Sequence, residues 1–472
     1  MKKFGIWCIC LLLIASCLVI PAHAEDGDKE IPLSVAAGCH SIDAKLSMIG
    51  SGQLLENAES VILFENNSQT LMYDWNADLM TDPASLVKIM TALVALENGN
   101  LDDLVLVSES ALSSLSAGAV SVDLQVGELI TLEELVYCLL VGSANDAANV
   151  IAEHIGGSDT EFINMMNRRA EELGCAATHY INAHGLYHKD QYTTARDTVR
   201  ILSAAIKNEK FLEIFTTATH TVPATNLSEE RKLITGNYLI STDVMEIYYD
   251  SRVLGGRTGA ANDGTRCIAA LSESNGMQMI SVVFGTKSVF EEDGQTIRSY
   301  GGFAETISLL NRGFEGYKIT QIINKNQVIQ QLTVINGDND VFIGTKNAAS
   351  IVLPVSLTTT DLEFRYTYRN EALEAPLDKD VLIAELQVWY RGICVAESEL
   401  YSMNAVQTYT PLPPDPVLEE DSVVVPVILV IVGLLVLAFV ANRLLQRHAR
   451  NKRREQRRRP SVPAKRPDRR RR

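Results

Sequence analysis

An α+β body followed by a small all-β region is what this sequence predicts, and three features predict it. Residues 58–315 mix strand-like apolar runs with longer amphipathic stretches of helical period. Residues 316–405 change texture, with short runs rich in Val, Ile, Phe and Tyr separated by turn-like segments such as Asn336-Gly337-Asp338-Asn339. Near the C-terminus, Val423 to Ala441 is uncharged, and as a helix it would span about 28 Å at 1.5 Å per residue, enough for a bilayer core.

The elements follow in order. Lys2 and Lys3 precede an apolar run from Phe4 to Ile20, and Pro21-Ala22-His23-Ala24 supplies a small-residue site, so residues 1–24 read as a secretory signal peptide. A lipoprotein signal with a lipid on Cys17 is the alternative, and it fits less well because the apolar run continues past the cysteine. Residues 25–57 carry no clear pattern and stay unassigned. Ser60 to Leu63, Cys267 to Leu271 and Met279 to Phe284 read as strands. Leu86 to Glu97, Leu132 to Val141, Ala147 to Ile155 and Phe162 to Leu173 read as helices, with Asn98-Gly99 and Gly174 as stops. A β-rich domain over 316–405 comes next. The proline-rich stretch within 406–422 reads as a stiff linker, 423–441 as a transmembrane helix and 442–472 as a basic tail.

Charge is divided between these parts. The last thirty residues hold 15 Lys/Arg and 2 Asp/Glu, whereas residues 25–442 hold 25 Lys/Arg and 56 Asp/Glu, within an overall net charge of −16. The positive-inside rule puts the tail in the cytoplasm and the acidic body outside a cell membrane crossed once. So acidic a body repels phosphates, which argues against nucleic acid as a partner, and the tail is assigned to topology and anionic lipids. A chain that is 46% hydrophobic and 21% charged is too apolar to be disordered. Five cysteines lie beyond the leader (Cys39, Cys138, Cys175, Cys267, Cys394), with no Cys-x-x-Cys spacing for zinc. An odd count leaves at least one free thiol, and the expectation is buried, unpaired thiols.

Three short motifs carry the chemistry. In Pro83-Ala84-Ser85-Leu86-Val87-Lys88, Ser85 and Lys88 sit three residues apart, on one face of a helix. A serine hydroxyl needs a base, and a lysine of lowered pKa can supply one. The bland alternative is a capped helix with a solvent-facing lysine. In Gly142-Ser143-Ala144-Asn145-Asp146-Ala147-Ala148-Asn149, a hydroxyl and an amide two residues apart (Ser143 and Asn145) can face one pocket, or else cap a helix. In Gly255-Gly256-Arg257-Thr258-Gly259-Ala260, small residues at a strand edge let a substrate backbone approach, and Arg257 and Thr258 suit a carboxylate; a glycine-rich turn is the alternative.

In this order, Ser-x-x-Lys, Ser-x-Asn and a cationic Thr-Gly resemble the penicilloyl serine transferases. With the surrounding segments Ser143 to Glu153, Asn182 to Leu186 and Tyr192 to Asp197, the chain resembles the D-alanyl-D-alanine carboxypeptidases, the low-molecular-mass penicillin-binding proteins, over roughly residues 58–405. The resemblance implies a penicillin-binding/β-lactamase-like catalytic domain at 58–315, with helices packed on an antiparallel sheet. It implies Ser85 as the acylated nucleophile, Lys88 as its base, and Ser143 and Asn145 as proton relay and substrate positioning. Arg257, Thr258, Gly259 and Ala260 are implied to bind substrate, with the N–H groups of Ser85 and Ala260 as oxyanion hole. The implied substrate is a peptidoglycan stem peptide ending in D-Ala-D-Ala, with β-lactams as inhibitors. No cofactor and no metal are called for.

The chain departs from the family pattern in having Arg257 where lysine is usual, Ala260 where His or Tyr is usual, and no Thr-Gly near Asn66 to Thr70. His184, Arg196 and Asp197 are expected to be structural. A β-lactamase shares the three motifs, but Glu171-Glu172-Leu173-Gly174 lacks the asparagine of the deacylating glutamate setting. A catalytically weak or inactive wall scaffold is the other alternative. A Ser-His-Asp hydrolase is disfavoured because no Gly-x-Ser-x-Gly is present.

Overall fold

The structure is a computed structural model, and it describes residues 42–44, 47–50, 52–113, 115–116, 119–242, 245–290, 297–411 and 424–456. The signal peptide with Cys17, Cys39, most of the linker and the last part of the basic tail lie outside the described residues.

The body is organised by an antiparallel five-stranded sheet. Its strands are β1 (Ser60–Glu65), β2 (Thr70–Trp75), β3 (Val253–Ala260), β4 (Arg266–Ser274) and β5 (Met277–Thr286), in the spatial order β2-β1-β5-β4-β3. Alternation sorts each strand onto two faces. Ile62, Phe64, Ile280 and Val282 enter one core, and Val61, Leu63, Met279 and Val283 the other. Both faces are covered, which is why these strands read in sequence as unbroken apolar runs rather than as alternating ones. The turn at Asn66 to Thr70 is closed by Glu65, whose buried carboxylate accepts from the Ser68 N–H at 2.6 Å and from the Gln278 N–H at 2.9 Å. The unassigned N-terminal segment is used at the sheet edge. Backbone N–H groups of Met48 and Ile49 donate to Leu71 and Met72, and Gly50 bridges Tyr73 in parallel.

One face carries helices α1 (Val87–Asn98), α2 (Leu132–Leu140), α3 (Asn145–Gly156), α4 (Asp159–Glu172) and α5 (Ala195–Ala205); the other carries α6 (Gly301–Gly316). The predicted stops hold. Gly99 caps α1, and Gly174, at φ +75°, follows the C-cap of α4. Thr131, Ser158 and Thr194 cap α2, α4 and α5 through their side-chain oxygens. The sequence reading did not include β2, α5 or α6.

Helix α6 leads directly into strand Tyr317–Ile323, which pairs with Ala349–Pro354. A second antiparallel sheet follows, in the order Val328–Leu332, Val341–Thr345, Ile393–Ser402, Leu382–Tyr390, Glu363–Tyr368. Its interior is continuous with the rear core of the first sheet. Val341, Leu386 and Leu400 belong to the same buried cluster as Leu63, Met279 and Phe314. One compact unit accordingly runs through to Gln407. The α+β body with its appended β-rich region is therefore present as predicted.

Cys138, Cys175 and Cys267 are buried free thiols, as expected. Cys394 departs from that expectation: it is disulfide-bonded.

The second unit starts at Thr408, and its described element is α7 (Val424–Gln456), 33 residues or about 50 Å long. It contains one stretch long and apolar enough to cross a membrane, with a mean hydropathy of 2.8. Pro426 falls in the first turn, where a missing N–H leaves no hydrogen bond unmade.

Candidate active site

Ser85 lies in a 3₁₀ turn, Ala84–Leu86, that runs into α1. Neither the turn nor the helix has a side-chain cap, and Lys88 is fully buried at 0% exposure. These two facts exclude the capped helix with a solvent-facing lysine. The turn is held in an uncommon conformation, with Ala84 at φ +45° and its N–H bonded to Asp82 at 2.9 Å.

Lys88 Nζ lies 3.2 Å from Ser85 Oγ and 2.7 Å from Asn145 Oδ1, and it also donates to the backbone carbonyl of His184. Burial holds its pKa well below the usual lysine range. The nearby Arg257 cation pushes it further down, and Asp146 partly opposes both. A neutral fraction at Lys88 therefore exists far below the pH at which an exposed lysine would lose its proton.

The second motif spans a loop and the start of α3. Ser143 has φ +59°, and Ala144, which has no side-chain oxygen, is the N-cap of α3. Neither Ser143 nor Asn145 is thus an ordinary cap. Asp146, next in sequence, is 1% exposed and pins the facing loop. Its carboxylate accepts from the Ser121 hydroxyl at 2.6 Å and from the Val122 and Leu124 N–H groups at 3.2 and 3.1 Å. The same loop takes the Asn145 N–H on the Val120 carbonyl at 2.8 Å.

The third motif is strand β3 itself, not a turn, and it forms an edge of the sheet. Two of its glycines are fixed by close approach. A Cβ on Gly259 would lie 3.0 Å from the Ser85 nitrogen, and one on Gly256 would lie 2.6 Å from Asn237 Nδ2. Arg257 points into the protein and is 3% exposed. Its fork donates to the Leu140 carbonyl at 2.8 Å, to the Ser85 carbonyl at 3.4 Å and to the Ser143 hydroxyl. Burial brings its pKa down to about 10. Arg257, expected to bind a substrate carboxylate, is thus bonded to protein groups of the first and second motifs. Thr258 is half-buried on the opposite strand face, and Ala260 is exposed at the strand end.

The geometry thus gathers Ser85, Lys88, Ser143, Asn145 and Arg257 into one hydrogen-bonded cluster beside an open strand edge. His184 joins it through its peptide carbonyl. Its imidazole Nδ1 accepts the Leu186 N–H at 3.1 Å, and burial with the Lys88 charge holds its pKa near 4, so the ring is neutral at pH 7. Gly185, at φ +86°, lies against the nucleophile turn: a Cβ there would be 2.0 Å from the Ala84 carbonyl oxygen. Arg196 and Asp197 are structural. Arg196 clamps Asp78 through two bonds of 2.7 and 3.0 Å, and Asp197 holds Ala177, Thr178 and Arg200. Sequence reasoning missed the carbonyls of His184 and Leu140, which carry no side-chain signal. It also gave no role to Asp146, which stands inside the second motif.

Residues 51–288 match the family described as D-alanyl-D-alanine carboxypeptidase, and residues 317–408 match the C-terminal domain of penicillin-binding protein 5. The chain is similar to D-alanyl-D-alanine carboxypeptidase DacF of Bacillus subtilis, at 27% identity over 354 residues, covering 74% of this chain and 85% of the relative. It is similar to a D-alanyl-D-alanine carboxypeptidase of a Streptomyces species, at 30% identity over 247 residues, covering 50% of this chain and 84% of the relative. Among solved structures it is similar to penicillin binding protein 5 from Haemophilus influenzae, at 27% identity and a TM-score of 0.60, covering 76% of this chain and all of that one.

Proposed function

The chain belongs to the D-alanyl-D-alanine carboxypeptidase family, and from that premise we propose how its residues divide the reaction. It is a serine-type carboxypeptidase that removes the terminal D-alanine of a peptidoglycan stem peptide and is acylated by β-lactams.

The observation that carries the assignment is the set of three partners at Lys88 Nζ. Two of them, the Asn145 amide oxygen and the His184 carbonyl, can only accept. A neutral amine has two N–H bonds and one lone pair. With both N–H bonds on those carbonyls, the lone pair is left for the third partner, the Ser85 hydroxyl. Ser85 is then the nucleophile and Lys88 its general base.

Attack forms a bond from Ser85 Oγ to the carbonyl carbon of the penultimate D-alanine, and the hydroxyl proton passes to Lys88. The Ser85 and Ala260 N–H groups receive the developing oxyanion. Ser143, polarised by Arg257, relays a proton to the leaving amine as the C–N bond breaks and D-alanine departs. Water then hydrolyses the ester. The substrate lies along the edge of β3 as an added strand, in contact with Thr258, Gly259 and Ala260. Asn145 holds both Lys88 and the substrate backbone.

For the chain as a whole we propose the divisions 1–24, 25–57, 58–315, 316–405, 406–422, 423–441 and 442–472, with the body outside the cell membrane and the basic tail in the cytoplasm. The test of function is to mix the chain with a fluorescent penicillin and, separately, with a peptide ending in D-Ala-D-Ala. Covalent labelling and D-alanine release, both lost in Ser85→Ala, are expected. Fast penicillin turnover without D-alanine release would instead make it a β-lactamase, and neither signal would leave an inactive scaffold.

A further inference from the structure

The substrate of this reaction ends in a free carboxylate, and the Arg257 fork is already engaged by protein groups. Three of its nitrogens are engaged with Ser85, Leu140 and Ser143 inside the protein. A different guanidinium stands on the other face of the same strand. In the β3–β4 ladder Thr258 is opposite Ile268 and Ala260 is opposite Arg266. Directly opposed residues share a face, so Thr258, Ala260 and Arg266 lie together, while Arg257 and Gly259 face the other way.

Thr258 and Arg266 both line a cavity of about 220 Å³ at this edge, walled by Gly236, Tyr238, Tyr300 and Phe303. Tyr238 and Phe303 pack with ring centroids 4.9 Å apart, and Tyr300 meets Tyr238 edge-on at 6.0 Å. Arg266 is exposed, and its side chain has no hydrogen bond or ion pair among the described residues. Position and reach agree. The carboxylate lies one residue beyond the scissile carbonyl, and successive Cα atoms are about 3.8 Å apart. It must therefore fall beside Thr258 to Ala260, within the length of an arginine side chain that starts across the ladder from Ala260.

We propose that Arg266, together with the Thr258 hydroxyl, is the specificity-determining pair that receives the substrate's C-terminal carboxylate. The assignment rests on the carboxypeptidase reading above. The guanidinium offers two parallel N–H bonds to the two carboxylate oxygens. Arg257 is left with a separate task, holding Ser143.

The test compares two peptides in the full chain, one ending in D-Ala-D-Ala and the same peptide ending in D-Ala-D-alaninamide. Wild type is expected to prefer the free acid. Arg266→Gln is expected to lower kcat/KM for the acid about tenfold to hundredfold while leaving the amide unchanged, and Arg266→Lys to restore part of the preference. Unchanged amide turnover shows that the variant is folded. An acid-to-amide preference in Arg266→Gln equal to that of active wild type overturns this assignment alone. Wild-type protein that releases no D-alanine and takes no penicillin removes the carboxypeptidase reading, and this assignment with it.

Discussion

Arg257 donates from a buried guanidinium to the hydroxyl of Ser143, and the neighbouring nitrogen of the same fork holds the Leu140 carbonyl at 2.8 Å. One cation thus ties the loop of the second motif to the strand of the third. Arg257→Ala leaves a buried carbonyl and a relay hydroxyl without their donor. Acylation by a fluorescent penicillin is expected to slow about hundredfold or more in stopped-flow labelling. Arg257→Lys keeps the charge with a single point of donation instead of a planar fork, and a loss of about tenfold is expected. Equal rates for Arg257→Lys and Arg257→Ala would show that the charge is not what matters.

The pH profile has a definite sign. The neutral form of Lys88 is the base, so activity is present above its pKa and is lost as pH falls through it. Burial and Arg257 hold that pKa well below 10.5, while Asp146 raises it. The acid limb of kcat/KM is therefore expected well below 10.5. Arg257→Ala should move the limb to higher pH, and Asp146→Asn to lower pH. Shifts in the same direction would remove Lys88 as the titrating group.

Gly185 is constrained by both space and conformation. It has φ +86°, and a Cβ would strike the Ala84 carbonyl. Gly185→Ala is expected to destabilise the fold by about 1–3 kcal/mol and to cut penicillin labelling, because the displaced turn carries Ser85. Thermal melts with labelling at saturating penicillin check both.

Arg196 separates stability from chemistry. Its side chain is 9% exposed and bonds Asp78, Asp74 and the Ile42 carbonyl, away from Ser85. Asp78 is largely open to solvent, so screening weakens that pair. Arg196→Met is expected to lose about 2 kcal/mol in urea unfolding with kcat unchanged. A drop in kcat at full folding would place Arg196 in the reaction.

Much of the site was legible because its side chains sit in short motifs at fixed spacing. Ser85 and Lys88 need only one helical turn to meet, and Ser143 and Asn145 only one loop. What was not legible depends on chain path. The carbonyls of His184 and Leu140 are peptide groups that every residue possesses, so no residue type announces them. The direction of Arg257 follows from which strand face is buried, and β3 read as a turn or strand edge because its glycines have low strand propensity. The division between the first sheet and the β-rich region shows as a change of texture in sequence, yet Leu63 and Val341 share one core. The use of Met48 to Gly50 at the sheet edge rests on backbone pairing, to which side-chain pattern is blind.

The carbonyl of His184 also bears on how freely the sequence can drift. An amine held by a peptide group is anchored by the course of the backbone rather than by the identity of the side chain there. Position 184 can therefore change and still present its carbonyl to the base, provided the path survives without the ring's bond to the Leu186 N–H. The same freedom is denied to Gly185, whose missing side chain keeps the path in place. Two adjacent residues thus differ in what they must supply, a carbonyl at 184 and an absent side chain at 185, although both serve one proton transfer.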